Sequence, residues 1–171
     1  WSRPAAQLEP LESLDIKEID LYSQRNQPSI NIRPIRSVDF VYIEYEHVYF
    51  GLDRMADTIL SCRDNGLPVV AKTPQLERQE VAKLLEAGVV GIQLPRTETR
   101  EQVETLIDYV KHPPKGTRAI APGWGSSDYR SVEDWVEWME EQSAETSIVL
   151  HIETRAGYEN FANLVTIPEV D

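Results

Sequence analysis

From residue 38 onward the chain alternates between two hydrophobic rhythms. Val38-Asp39-Phe40-Val41-Tyr42-Ile43 is a short, mostly apolar run rich in β-branched and aromatic residues, which reads as a buried strand. Leu52, Met55, Ala56, Ile59 and Leu60 then recur at helical spacing until Asn65-Gly66 stops them. Residues 67–71 predict a second strand. Val81, Leu84 and Leu85 mark a helix closed by Gly88, and residues 89–94 predict a third strand. Thr99 and Gln102 stand at the spacing of a capping box, in front of a helix whose buried face is Val103, Leu106, Ile107 and Val110. Pro113-Pro114 ends that helix. Beyond it the pattern predicts a short strand at 117–121 and a mobile Gly-rich loop at 122–127. A helix from Ser131 follows, with Val132, Trp135, Val136 and Met139 on or near its inner face. A strand at 147–152 and a short helix at 158–164 complete the series.

Strands alternating with helices every ~20–30 residues predict right-handed βαβ units and a parallel sheet. The sheet can close in two ways, as an open doubly wound sheet or as a barrel, and both gather chemistry at the C-terminal ends of the strands. Residues 1–37 are different. Pro4, Pro10, Pro28 and Pro34 interrupt them, and only 29–35 alternates. They read as an irregular N-terminal segment or arm, ahead of one domain over 38–171.

Composition narrows the function classes. The chain has 171 residues and a formal net charge of -12, a balance that repels nucleic acid and anionic membrane surfaces. Hydrophobic residues make up 41%, enough for a globular core. The single Cys62 excludes an intramolecular disulfide framework and a multi-Cys zinc site. No apolar run approaches the ~18 residues of a membrane span, so the expectation is a cytoplasmic protein. The length falls short of the ~250 residues typical of a complete (β/α)₈ barrel.

The predicted strand ends hold the reactive side chains. Glu44, Glu46 and His47 follow the first strand. An imidazole there could exchange protons near neutral pH, or simply pair with a carboxylate at the surface. Lys72 ends the second strand. It could hold a substrate carboxylate, form a Schiff base if burial lowered its pKa, or lay its stem over the rim. Gln93 ends the third strand and is a candidate substrate contact. Glu153 follows the last strand and could cap a helix or bind a hard cation such as Mg²⁺. His151 shares its face if the strand is regular. The acidic run from Glu133 to Glu145 reads as a solvated helix face.

The stretch from Asp39 to Asp171 resembles the HpcH/HpaI aldolase family, metal-dependent class II pyruvate aldolases. The resemblance rests on an ordered set of segments. They are Asp39-Phe-Val-Tyr-Ile-Glu-Tyr-Glu-His47, Gly66-Leu-Pro-Val-Val-Ala-Lys-Thr-Pro74, Leu84-Leu-Glu-Ala-Gly88, Gly91-Ile-Gln-Leu-Pro95, Pro113-Pro-Lys-Gly-Thr-Arg118 and Ile152-Glu-Thr154.

The resemblance implies a (β/α)₈ TIM barrel, of which this chain holds about six strand–helix units. It implies a divalent ion, Mg²⁺ first and Mn²⁺ or Co²⁺ as alternatives, on Glu153 and on an Asp expected beyond Asp171. His47 falls on the catalytic His, Glu86 on the carboxylate that orients it, and Lys72 on a substrate-binding Arg. Glu46 falls on the Glu that orders metal-bound water. Glu44 and Glu86 stand where Asp is usual, and His151 where Gln is usual. The implied reaction is aldol cleavage or formation on a 2-keto acid, through a pyruvate- or oxaloacetate-derived enolate, in a homo-oligomer such as a hexamer. The alternatives are a citrate-lyase-like or malyl-CoA-lyase-like enzyme, and a non-catalytic relative that serves as a binding or assembly module.

Overall fold

The computed structural model describes residues 38–49, 51–121 and 123–171. The readings of residues 1–37, including the arm and the alternation at 29–35, lie outside the described residues.

Four short parallel strands form one sheet: β1 (Val41–Glu44), β2 (Val69–Lys72), β3 (Gly91–Leu94) and β4 (Ser147–Leu150). Five α-helices accompany them: α1 (Leu52–Asp64), α2 (Arg78–Ala87), α3 (Arg100–Val110), α4 (Trp135–Glu145) and α5 (Arg155–Leu164). The strand order is β1-β2-β3-β4, the order of the chain. Each right-handed crossover therefore steps in the same direction, which puts the connecting helices on one face. A doubly wound sheet would reverse direction at a switch point. Among the described residues there is no reversal, and the sheet is an arc of a barrel.

Side-chain alternation divides the sheet. Val41, Ile43, Val69, Ala71, Ile92 and Ile148 are buried. They share the core with Met55, Ile59 and Cys62 of α1, Val81, Leu84 and Leu85 of α2, and Val103, Leu106 and Val110 of α3. The intervening positions Tyr42, Glu44, Val70, Lys72, Gln93 and Val149 fall on the other face. Register places Glu44 beside Lys72, and Lys72 beside Gln93. One row across this face thus carries an acid, a base and an amide.

Local signals set the helix ends. The capping box is complete, with the Gln102 N–H donating to Thr99 Oγ1 at 3.3 Å and the Thr99 N–H donating to Gln102 Oε1 at 3.0 Å. Gly88 ends α2 at φ 104, and a Cβ there would lie 2.7 Å from the Arg63 side chain. Thr154 caps α5 by accepting from the Gly157 N–H at 3.1 Å. Asp134 caps α4 by accepting from Val136 N at 2.9 Å and Glu137 N at 3.0 Å, so the helix starts at Trp135 rather than near Ser131.

Three further expectations change. Residues 117–121 form no strand. The Thr117 N–H donates to Asp108 O at 2.7 Å and the Arg118 N–H to Lys111 O at 3.1 Å, so this backbone caps the end of α3. β3 pairs directly with β4. The described residues accordingly hold four strands, fewer than six strand–helix units. The Gly-rich segment is not an open loop: Gly125–Ser127 is a 3-10 turn with Gly125 and Ser126 buried, and Gly125 packs on the backbone of Ala87. Finally, α4 buries none of its residues fully, and Val136 is 62% exposed. Trp138 of this helix packs its ring 5.4 Å from that of His112. The acidic positions of α4 do lie at the surface, as its charge pattern predicts.

Candidate active site

The C-terminal ends of the strands bring Glu44, Glu46, His47, Lys72, Gln93, His151 and Glu153 to one rim. Glu44 ends β1 and organises the turn behind it. Its Oε1 accepts from the Glu46 N–H at 2.6 Å and from the His47 N–H at 3.2 Å. That turn leaves the imidazole 68% exposed, with Nε2 3.3 Å from Glu46 Oε2.

Lys72 is the centre of the group. It ends β2 and is only 3% exposed, yet its Nζ lies 2.6 Å from Glu46 Oε2 and 3.2 Å from Glu44 Oε2. Burial alone would lower its pKa. The contacts with Glu46 and Glu44 outweigh that effect, and the pKa ends above its ordinary value. Lys72 is thus held as an ammonium, which removes the Schiff-base reading, since that chemistry needs a free amine.

Gln93 sits next in the row. The Tyr42 hydroxyl donates to its Oε1 at 2.7 Å, which turns the amide NH₂ away from Tyr42 as the remaining donor. Sequence reasoning passed over Tyr42, although it lies two residues before Glu44 and therefore on the same face of β1.

Glu153 follows β4. Its Oε1 accepts from the Arg96 N–H at 2.9 Å and lies 3.5 Å from His151 Nδ1. Burial disfavours its charge, but that backbone bond and the charges of His151, Lys72 and Arg96 prevail, so the carboxyl titrates below its ordinary value. Arg96 aims its amide from a left-handed turn at φ 48. The sequence shows the arginine but not that its backbone does this work. His151 and Glu153 do come together, although β4 ends at Leu150 rather than at 152 and both lie beyond it.

Glu86 is absent from this group. It lies in the last turn of α2, and a helix after a parallel strand runs back toward the sheet's N-terminal end. Glu86 therefore stands at the opposite end from His47, near Arg118. Within this chain His47 is oriented by the Glu44 turn and by Glu46, not by Glu86. Among the described residues no group of three or more His, Cys, Asp or Glu side chains is placed to hold a metal ion.

A family profile described as HpcH/HpaI aldolase/citrate lyase matches residues 19–171. The chain belongs to this family. HpcH/HpaI relatives include a 2-dehydro-3,6-dideoxy-6-sulfogluconate aldolase of Pseudomonas putida, 23% identical over 78% of this chain and 51% of the relative. A hydroxypyruvate/pyruvate aldolase of Rhizorhabdus wittichii is 27% identical over 78% of this chain and 51% of the relative. The chain thus spans about half the length of these curated relatives. The crystal structure of an HpcH/HpaI aldolase from Desulfitobacterium hafniense superposes with a TM-score of 0.75 at 24% identity, over 81% of this chain and 52% of that one. The fold is part of an HpcH/HpaI TIM barrel, in agreement with the unreversed strand order. Among the described residues no helix is long and apolar enough to cross a membrane.

Proposed function

We propose that this chain carries the enolate-stabilising half of a class II aldolase site, in a carbon–carbon lyase acting on 2-keto acid aldols. The observation that carries the reading is Lys72, a buried ammonium fixed between Glu44 and Glu46 in the same rim as His47, Gln93 and Glu153. Family membership and the aldolase relatives support the same reaction class.

The residues divide the work by their chemistry. Retro-aldol cleavage removes a proton from the substrate's 4-hydroxyl and leaves an enolate on the pyruvyl fragment. His47 is the exposed base at the rim, held at the edge of the Glu44 turn, and is suited to move that hydroxyl proton. Glu46 lies against both His47 and Lys72, so a proton gained by the imidazole meets a carboxylate already in place. Lys72 puts a fixed positive charge where the enolate oxygen grows, without reorganising as the charge develops. Gln93, held by Tyr42, offers an N–H donor to the keto acid's oxygens.

The family resemblance adds a divalent cation, with Mg²⁺ favoured. Glu153 fits one of its ligands: a hard carboxylate kept ionised on the rim, one oxygen of which is held by a backbone N–H. Mg²⁺ takes one or two carboxylates and retains several waters, so one such group is a sufficient protein anchor for this side of the site. When bound, the ion supplies Lewis-acid polarisation of the keto acid's carbonyl.

Pyruvate release from 4-hydroxy-2-keto acids, measured on the full natural protein with and without chelator, tests this. The expected outcome is activity that chelation abolishes and Mg²⁺ or Mn²⁺ restores, with His47→Asn losing about 10²-fold or more in kcat/KM. Chelator-resistant turnover, or full activity in His47→Asn, refutes the assignment.

A further inference from the structure

Three basic side chains are buried together at the other end of the sheet, in a chain whose net charge is -12. Of these, Lys111 is satisfied. Lys111 Nζ donates to Ser143 O and Thr146 O, each at 2.6 Å. His112 Nδ1 lies 3.2 Å from Arg118 O, which places a proton on Nδ1, while Nε2 is buried without a hydrogen-bond partner. Arg118 is 9% exposed, and its Nη1 is likewise fully buried without a hydrogen-bond partner. The acid that acts on its charge is Glu86, with which it makes no ion pair. Burial pushes the guanidinium down to about 10, so it remains charged at neutral pH.

An unpaired buried cation is costly unless something supplies its counter-charge. Beside Arg118 is a cavity of about 20 Å³. Tyr109, Trp138 and the buried Ser126 share its wall with Arg118 and Glu86. Ala82 and Arg78 line it from α2, one and two helical turns before Glu86 on the same face. The volume exceeds the ~10–15 Å³ that one water needs, but is tight for a tetrahedral phosphate. Glu86 on the wall further disfavours a dianion. A planar monoanion matches the guanidinium fork in both shape and charge.

We propose that Arg118 is the base of a small-carboxylate binding site, separate from the rim and formed by α2, α3, the 117–121 segment, the Gly125–Ser127 turn and α4. The carboxylate comes either from a free monocarboxylate or from an acidic side chain of a second copy of this chain. The guanidinium recognises both by the same contact. Because the site shares no residue with the rim, it stands or falls independently of the aldolase reading.

The test titrates sodium formate and acetate into the full natural protein against sodium chloride at constant ionic strength, following thermal midpoint and sedimentation. A free-ligand site gives a saturable rise in midpoint with carboxylate and not with chloride. Arg118→Gln weakens that response by about tenfold or more, the value of one charge-assisted hydrogen bond. A site filled by a second copy shows instead as a fall in assembly mass in Arg118→Gln, and carboxylate competes with assembly in the wild type. If Arg118→Gln does not fold, Ala82→Leu carries the test, because it narrows the cavity and leaves the guanidinium in place. Equal responses to carboxylate and chloride, with assembly mass unchanged in the variants, mean that the cavity holds water only and overturn the proposal.

Discussion

His112 makes acid stability a direct measure of how the 111–146 region docks. The ring is 1% exposed, lies tilted against Trp138, and receives no partner at Nε2. Burial first, and the Arg118 cation second, lower its pKa to about 4 against the Arg118 carbonyl contact that opposes them. In the unfolded chain an ordinary histidine titrates near 6.5. Between those values the unfolded state binds the extra proton, so stability falls as pH drops through 6.5 and the loss is complete below about 4. The gap corresponds to about 3 kcal/mol in full and about 2 kcal/mol at pH 5. The perturbation is His112→Asn, whose side-chain amide keeps an N–H toward the Arg118 carbonyl but does not titrate. Urea unfolding of both proteins at pH 7.5, 6, 5 and 4 isolates the histidine, because the carboxylates titrate alike in each. The wild type should lose about 2 kcal/mol more than His112→Asn between pH 7.5 and 5. Parallel pH profiles would refute the reasoning, since they would mean that the ring is free to protonate in the folded state.

Other positions give independent checks. Lys72→Met leaves Glu44 and Glu46 facing each other without their shared cation. It should destabilise the fold by about 3–5 kcal/mol in chemical denaturation and remove turnover, while Lys72→Arg retains more of both. Glu153→Gln keeps an acceptor for the Arg96 N–H but loses the charge; Mn²⁺ titration followed by calorimetry should show divalent affinity lost with little change in thermal midpoint. Leu106→Ala opens a hole in the fully buried face of α3 and should cost about 2–5 kcal/mol by urea denaturation.

Much of the fold is legible because the β and α rhythms differ so clearly between residues 38 and 110. The capping box at Thr99 and Gln102 and the stop at Gly88 are both realised. The 117–121 segment misleads because Thr-Arg-Ala-Ile-Ala has strand-like composition, while its N–H groups are consumed by α3 carbonyls, a long-range fact that composition does not encode. The rim is legible as a list of strand ends, but not as a network. The pairing of Lys72 with Glu44 follows from register, which no single segment reveals. Glu86 shows the opposite failure: its motif is local, whereas its place is set by helix direction, and that sends it to the far end of the sheet. Arg118 closes one of the family-like segments, Pro113 to Arg118, but its isolation is a property of packing that the segment does not show.

The agreement between strand order and chain order also ranks the sheet's pairings by chain entropy. Val41 meets Val69 across a separation of 69 − 41 = 28 residues, whereas Gly91 meets Ser147 across 147 − 91 = 56. Doubling a loop adds about 0.6 kcal/mol to its closure cost. The β3–β4 pairing therefore closes against the greater entropy, with Lys111 tying the long connection to the end of α4. Glu44, Lys72 and Gln93 come together through the shorter closures, and Glu153 joins them through the longest one.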